Sequence, residues 1–114
     1  MQYIDPLTIG KVAGEIIEFY PDRYACDGSL CIQGITEDGE PFSSITVNLS
    51  YYHMYPDDGW IYLNHDLMPL KDEIIDILGT GKTKPIEYGL AKSISIELKP
   101  EIAKKLIDWT PKEY

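Results

Sequence analysis

Two segments of this chain alternate strictly between apolar and polar residues, and this alternation restricts the fold more than any other feature. Residues 42–49 place Ile45, Val47 and Leu49 on one side and Ser44, Thr46 and Asn48 on the other. Residues 90–99 place Ile94, Ile96 and Leu98 on one side and Ser93, Ser95 and Glu97 on the other. A period of two is typical of a strand that buries one face. Both segments are therefore predicted to be strands that face one core.

Three further segments are rich in β-forming residues and are predicted to be strands: 11–22, 30–36 and 59–64. The first contains the adjacent pair Ile16 and Ile17, which a bulge or burial on both sides explains. Glu37-Asp38-Gly39-Glu40 separates segment 30–36 from segment 42–49. Asp-Gly between two apolar runs is a strong hairpin signal, so these two strands are predicted to pair.

The pattern changes to helical spacing after Pro69, a residue suited to a first helical turn. Leu70, Ile74, Ile77 and Leu78 fall on one face, and Gly79 is the expected helix stop. Pro100 begins a second short helix in which Ile102, Leu106 and Trp109 share a face. The sequence therefore predicts an α+β fold, with an antiparallel sheet of about five strands and two short helices packed on it.

Charge divides the chain into two parts. Residues 1–68 carry eleven acids and two bases, a balance of −9, whereas residues 69–114 carry eight acids and eight lysines. We therefore expect a single domain over residues 1–114, with an acidic strand-rich part (1–68) and a charge-balanced part (69–114). A strongly negative surface repels nucleic acid and anionic membranes and attracts a basic surface. The expected partner is a protein, with no direct binding of nucleic acid and no membrane.

The opening residues have no basic segment followed by an apolar run, so no signal peptide is predicted. Apolar stretches fall far short of the ~18 residues that a membrane span needs. Cys26 and Cys31 are the two cysteines, too few for a disulfide framework. These features favour a cytoplasmic protein with reduced thiols, and a local Cys26–Cys31 bridge across the Asp27-Gly28 turn stays open as the alternative.

Gly79-Thr80-Gly81-Lys82-Thr83 looks like the end of a phosphate-binding P-loop. The full motif needs a glycine five positions before Gly81, where this chain has Asp76. The motif also follows a strand and opens a helix, whereas this segment follows a predicted helix. It is therefore predicted to be a helix stop followed by a flexible basic loop.

The spacing of the two histidines, His53 and His65, does not indicate a metal site or a catalytic site. A structural zinc site needs four ligands, and the histidines and cysteines lie on different predicted elements. His65-Asp66 resembles a base with its orienting acid, but no nucleophile motif accompanies it. No catalytic residue, cofactor or metal is predicted, and a small enzyme using His65 and Asp66 is the least favoured alternative.

An aromatic loop over residues 51–62 contains Tyr51, Tyr52, His53, Met54, Tyr55 and Trp60 around the turn Pro56-Asp57-Asp58-Gly59. Such residues are enriched at protein interfaces because they bury large areas with few rotatable bonds. Packing of half of them against the sheet as ordinary core is the open alternative. The predicted partner-binding residues are two groups, one in the hairpin turn and one in this loop: Glu37, Asp38 and Glu40, and Tyr52, Tyr55, Asp57, Asp58 and Trp60.

Residues 9–49 resemble a family of short proteins of unknown function carried by conjugative and integrative elements of gut-type bacteria. The shared pattern has three parts. Gly10–Ile16 contains AGEI, Asp22–Gln33 reads DRYA-x-DGSLCIQ, and Asp38–Leu49 contains DGEP and TVNL. The resemblance covers about a third of the chain and supplies no catalytic residues. It implies an accessory protein of a mobile element, a setting in which small acidic inhibitors of host defence are common.

Together these features predict a non-enzymatic acidic inhibitor or adaptor of anti-CRISPR or anti-restriction type. Its acids would occlude a basic nucleic-acid-binding surface of a host protein, such as a CRISPR effector nuclease or a restriction enzyme. The alternative is a conjugation accessory module that binds another protein through the aromatic loop.

Overall fold

The computed structural model describes residues 5–24 and 26–109, which form strands, two α-helices and two short 3₁₀ helices in an α+β arrangement. The predicted α+β class, with antiparallel strands and two helices, is confirmed. Within these residues the strands form two sheets, of four and three strands, rather than one sheet of about five.

The first sheet is antiparallel and follows chain order, with the strands β1 (Thr8–Val12), β2 (Glu15–Arg23), β3 (Leu30–Thr36) and β4 (Pro41–Ser44). The predicted hairpin at Glu37–Glu40 joins β3 to β4. Gly39 N donates to Thr36 O at 2.9 Å, and Thr36 N donates to Glu40 O at 2.8 Å. The acidic turn is therefore held by backbone hydrogen bonds and leaves its carboxylates free to face solvent.

The second sheet has β7 in the middle, with β5 and β6 on either side; the strands are β5 (Trp60–Tyr62), β6 (Gly79–Tyr88) and β7 (Ala91–Leu98). An isolated antiparallel bridge between Thr46 and Leu63 links the two sheets. Beside it, Asn64 N donates to Ile45 O at 2.9 Å. The chain beyond β4 therefore continues into contact with the end of β5.

Two α-helices pack on the sheets: α1 (Lys71–Leu78) and α2 (Pro100–Asp108). A 3₁₀ helix over His65–Leu70, which contains Pro69, leads directly into α1. Pro100 opens α2, as predicted, and its apolar residues Ile102 and Leu106 are buried. Trp109 lies just beyond the end of α2 and is half-buried.

One core joins both sheets and both helices. Ile45, Ile74, Leu78 and Ile96 have no exposed surface and belong to this core. The prediction that the two alternating segments face one core is therefore confirmed at Ile45 and Ile96. The strand predicted over 42–49 is shorter than expected, because β4 ends at Ser44. Leu49 is buried as well, but it lines a surface cleft described below rather than the shared core.

The predicted single strand over 11–22 is wrong, because the chain reverses at Ala13 and Gly14 between β1 and β2. Ala13 has φ 52° and Gly14 has φ 81°, the two positive values that a two-residue hairpin turn requires. Alanine is an unusual residue for the first of these positions, so the sequence gives a weak signal there. After the turn, Ile17 is buried and Ile16 is 43% exposed, which accounts for the adjacent pair without a bulge.

The predicted loop at Gly79–Thr83 is also wrong, because these residues begin strand β6. Helix α1 does end at Leu78, but Gly79 is extended (φ −106°, ψ 164°) rather than left-handed. A Cβ atom at Gly79 would lie 2.8 Å from Ile96 Cγ2 and 3.0 Å from Ile75 O. The glycine is therefore required by close packing against the neighbouring strand and helix.

Ser93 and Ser95 are buried, although the alternation predicts that they face solvent. Ser93 Oγ donates to Leu63 O at 2.5 Å, and Ser95 Oγ donates to Ile61 O at 3.1 Å. Both acceptors lie in or just after the neighbouring strand β5, so the two buried hydroxyls have hydrogen-bond partners across the sheet. Thr46, also expected outside, is buried and its Oγ1 accepts from Ile32 N at 3.2 Å.

Candidate functional site

The acids of the first part of the chain lie almost entirely on the surface. Ten of the eleven acids in residues 1–68 are exposed, and Glu18 is half-buried. Within the described residues, Asp57 is the one member of this set that pairs with a lysine, Lys84, at 3.3 Å. Three other lysine–carboxylate pairs lie wholly within the second part. The uneven charge of the sequence is therefore also an uneven charge of the surface.

Glu37, Asp38 and Glu40 are all exposed at the β3–β4 turn. The turn precedes β4, whereas the aromatic loop follows the continuation of β4 through Leu49. The acidic turn and the aromatic loop therefore lie at opposite ends of segment 41–49. Of the two predicted groups of partner-binding residues, only the aromatic-loop group contributes to the cleft described below.

Three tyrosines of the aromatic loop project into solvent: Tyr51 is 87% exposed, Tyr52 45% and Tyr55 65%. Ser50–Tyr52 forms a 3₁₀ helix that ends at His53, which has a left-handed backbone (φ 57°). Met54 and Trp60 are half-buried. The loop thus divides, with the tyrosines available to a partner and Met54 and Trp60 turned partly toward the protein.

The aromatic side chains fall into two groups with different neighbours. Tyr52 lies 5.3 Å from Tyr51 in an edge-to-face arrangement and 6.1 Å from Tyr88, measured between ring centroids. Trp60 instead lies beneath Lys84, whose ammonium is 4.3 Å from the ring centroid. The Lys84 ammonium also pairs with Asp57, so Trp60 and Asp57 contact the same charged group.

A surface cleft of about 300 Å³ opens beside Trp60 and Asp57. Its predominantly apolar lining includes buried residues of three separate parts of the chain, Leu49, Leu98 and Leu106. Four of the predicted site residues also line it: Tyr55, Asp57, Asp58 and Trp60. Tyr52, Glu37, Asp38 and Glu40 are not among the lining residues.

Asp27 is a third carboxylate of the cleft, contributed by the β2–β3 turn. Ser29 donates to its Oδ1 from both Oγ, at 2.7 Å, and the backbone N, at 2.9 Å. Asn48 Nδ2 donates to Oδ2 at 3.2 Å. These hydrogen bonds hold the pKa of Asp27 below its usual value, so the carboxylate is charged at neutral pH.

Tyr24 and Tyr62 line the same cleft and remain neutral at physiological pH. Burial raises the pKa of Tyr24 to about 12, and its hydroxyl lies 2.8 Å from Thr46 Oγ1. Burial, with a smaller contribution from Asp57, also raises the pKa of Tyr62. The aromatic walls are therefore uncharged, while the carboxylates carry the charge of the cleft.

His65 lies away from the cleft and between two polar neighbours. Its Nε2 is 3.3 Å from Asp66 Oδ1, and its Nδ1 is 3.3 Å from the Tyr88 hydroxyl. His65 and Asp66 are exposed. No group of three or more His, Cys, Asp or Glu side chains in the described ranges is arranged to hold a metal ion.

The two cysteines are free thiols, with Cys26 exposed and Cys31 buried. Burial raises the pKa of Cys31 to about 11, so its thiol is protonated at neutral pH. Cys26 accepts a 3.3 Å hydrogen bond from Asn48 Nδ2. The local bridge considered from the sequence is therefore not formed in this structure.

Sequence reasoning missed several residues of the cleft, including Tyr24, Asp27, Tyr62 and Ile107. The turn composition of Asp27-Gly28 gives no indication that Asp27 lies near residues 57–60. Ile107 is 59% exposed on α2, outside the apolar face that the helical spacing identifies. Tyr24, Asp27 and Ile107 are distant in the sequence from residues 55–62, and folding brings them to the same cleft.

No protein-family model, curated protein or solved structure matches the chain.

None of the helices in the described part of the chain is both long enough and apolar enough to cross a membrane.

Proposed function

We propose that this chain is a non-enzymatic inhibitor or adaptor that acts in the cytoplasm on a protein with a basic, nucleic-acid-binding surface. The observation that supports this proposal is the exposed acidic surface of residues 1–68, on which only Asp57 pairs with a lysine in the described structure. Carboxylates without neighbouring bases present a field that attracts a surface built to bind phosphate.

The proposed setting is a mobile genetic element, in line with the resemblance of residues 9–49. Anti-CRISPR or anti-restriction action follows if the protein covers the surface on which a host nuclease holds DNA. The partner is then a CRISPR effector nuclease or a restriction enzyme, and this chain itself needs no contact with nucleic acid. Exposed charges of this kind mainly accelerate association, so inhibition is expected to weaken as salt rises.

The test is an inhibition assay against candidate host nucleases with a variant that neutralises five acids: Glu37→Gln, Asp38→Asn, Glu40→Gln, Asp57→Asn and Asp58→Asn. A control variant neutralises five exposed acids of the second part: Asp72, Asp76, Glu87, Glu101 and Asp108. Both variants change the net charge equally. The first is expected to inhibit less at low salt, and the second to inhibit like the wild type. Equal inhibition by the first variant and the wild type contradicts the acidic-surface proposal.

The exposed tyrosines favour a second candidate function, a conjugation accessory module that docks through the aromatic loop. Tyr51, Tyr52 and Tyr55 offer large apolar area with polar tips. Docking of this kind depends little on salt, so a salt titration separates the two candidates. A Tyr52→Ala/Tyr55→Ala variant should lose binding under this alternative and keep most of it under the first.

A further inference from the structure

The cleft beside Trp60 combines an apolar interior with a negatively charged edge. Leu49, Ile61, Leu98 and Leu106 are buried residues of the lining. Ile107 also lines the cleft and is 59% exposed, so this isoleucine has apolar surface in water next to an open apolar cavity. A volume of about 300 Å³ is at the lower end for ligand pockets and suits one large side chain better than a helix.

The charged residues that line the cleft are all acidic. The described lining residues include Asp27, Asp57 and Asp58 and contain no lysine, arginine or histidine. All three aspartates are exposed, so they remain hydrated while the cavity is empty. An approaching cation therefore meets carboxylates at the edge and neutral phenols and aliphatic groups in the interior.

Lys84 shows that this edge already holds a cation of the chain itself. Its ammonium lies 3.3 Å from Asp57 Oδ2 and 4.3 Å from the centroid of the Trp60 ring. A carboxylate beside an aromatic face is a favourable site for a lysine or arginine side chain. The contact made by Lys84 is a geometric precedent for a cation supplied by a partner at the same edge.

We propose that the cleft binds an extended segment of a partner protein in which one large apolar side chain is flanked by lysine or arginine. The apolar side chain enters the cavity against Leu98 and Ile107, and the flanking cations lie near Asp27 and Asp58. This assignment rests on the proposed function, because it identifies part of the basic surface that the chain recognises. It adds an apolar anchor that acids alone do not supply.

The test uses three blocked synthetic peptides titrated into ¹⁵N-labelled protein and followed by NMR: Lys-Lys-Phe-Lys-Lys, Lys-Lys-Ser-Lys-Lys and Glu-Glu-Phe-Glu-Glu. We expect the first to shift the Trp60 indole and Ile107 amide signals and to bind about tenfold or more tighter than the second, because it buries an aromatic side chain. The third should not bind. Equal affinities of the first two peptides overturn the proposal.

Two matched variants separate the cavity from the general charge. Ile107→Lys places a cation at the cleft, whereas Ile9→Lys makes the same change on β1 at a residue of similar exposure, 54% against 59%. We expect the Phe peptide to lose about tenfold in affinity with Ile107→Lys and to bind to Ile9→Lys nearly as to the wild type. Equal losses in both variants overturn the proposal. If Ile107→Lys does not fold, Tyr55→Ser replaces it in the test, because Tyr55 also lines the cleft and is 65% exposed.

Failure of the cleft assignment and failure of the proposed function give different results. If the Ser peptide binds as well as the Phe peptide while the five-acid variant loses nuclease inhibition, the cleft assignment fails and the acidic function stands. If the Phe peptide binds selectively while the five-acid variant inhibits normally, the acidic function fails and the cleft assignment stands.

Discussion

The ammonium nitrogen of Lys84 lies 4.3 Å from the centroid of the Trp60 ring and 3.3 Å from Asp57 Oδ2. Lys84 is thus a base of the charge-balanced part of the chain that neutralises a carboxylate of the acidic part. Its partners lie on the loop before β5 and at the start of that strand, whereas Lys84 itself is on β6. This contact lowers the negative potential at one side of the cleft.

Replacement of Lys84 by glutamine should strengthen binding of a basic peptide at low salt, because Asp57 is then left without its neighbouring cation. Unfolding in urea should show a loss below about 1 kcal/mol, since both contacts are at the surface. Lys92→Gln is the matched control, because Lys92 makes a 3.8 Å pair with Glu87, which does not line the cleft, whereas Asp57 does. Equal gains in affinity from both variants would show that only net charge matters.

Removal of the Ile96 side chain tests the common core. Ile96 on β7 has no exposed surface, and it belongs to the core that residues of both sheets and α1 form. Ile96→Ala should lower the free energy of unfolding by about 2–5 kcal/mol, as large-to-small changes in a core do. Ile107→Ala is the control and should change stability by about 0.5 kcal/mol or less, because this residue is mostly exposed. Urea denaturation of the two variants provides the comparison.

The core could be predicted because its signals are local. Ile94, Ile96 and Leu98 alternate along one strand, and Ile74 and Leu78 recur at helical spacing, so each element reveals its buried face by itself. The turn at Ala13 and the burial of Ser93 were missed for different reasons. Alanine does not mark a left-handed turn, and the burial of Ser93 goes with a hydrogen bond that its hydroxyl donates to Leu63 O, a partner 30 residues away in the sequence.

The candidate site could be predicted only in part. Tyr55, Asp57, Asp58 and Trp60 are near one another in the sequence, and all four line the cleft. Tyr24 and Ile107 reach it from distant positions, and no periodicity relates them to the aromatic loop. The acids of the β3–β4 turn are negatively charged, as Asp57 and Asp58 are, but they lie at the other end of segment 41–49.

Alkaline pH should reveal the role of Tyr24. Folding raises the pKa of this phenol from about 10 to about 12, mainly through burial. The contribution of the neutral Tyr24 phenol to the free energy of unfolding is therefore complete below pH 10 and is lost as the pH rises through 12. Tyr24→Phe should cost about 1 kcal/mol at pH 7 through loss of the hydrogen bond to Thr46. The stability gap between wild type and variant should narrow between pH 10 and 12, and a constant gap would contradict this assignment.

The two thiols should differ sharply in reactivity. Cys26 is exposed, whereas Cys31 is 1% exposed and has a pKa raised by burial to about 11. Because the thiolate is the reacting form, a thiol reagent at pH 7.5 should label one cysteine in the folded protein and both in denaturant. Cys26→Ser should abolish the fast reaction. Rapid labelling of the folded Cys26→Ser variant would show that Cys31 is accessible.

The Gly79–Thr83 segment should not bind nucleotide, despite its likeness to the end of a P-loop. A P-loop wraps a phosphate with backbone amides between a strand and the start of a helix. Here the segment follows helix α1 and enters strand β6, and Gly79 pairs with Leu98. The net charge of −9 also disfavours duplex DNA. Calorimetry should therefore detect neither ATP nor DNA binding, and Lys82→Ala should behave like the wild type in both titrations and in urea unfolding. Tight ATP binding that disappears with Lys82→Ala would overturn this interpretation and identify the segment as a phosphate site.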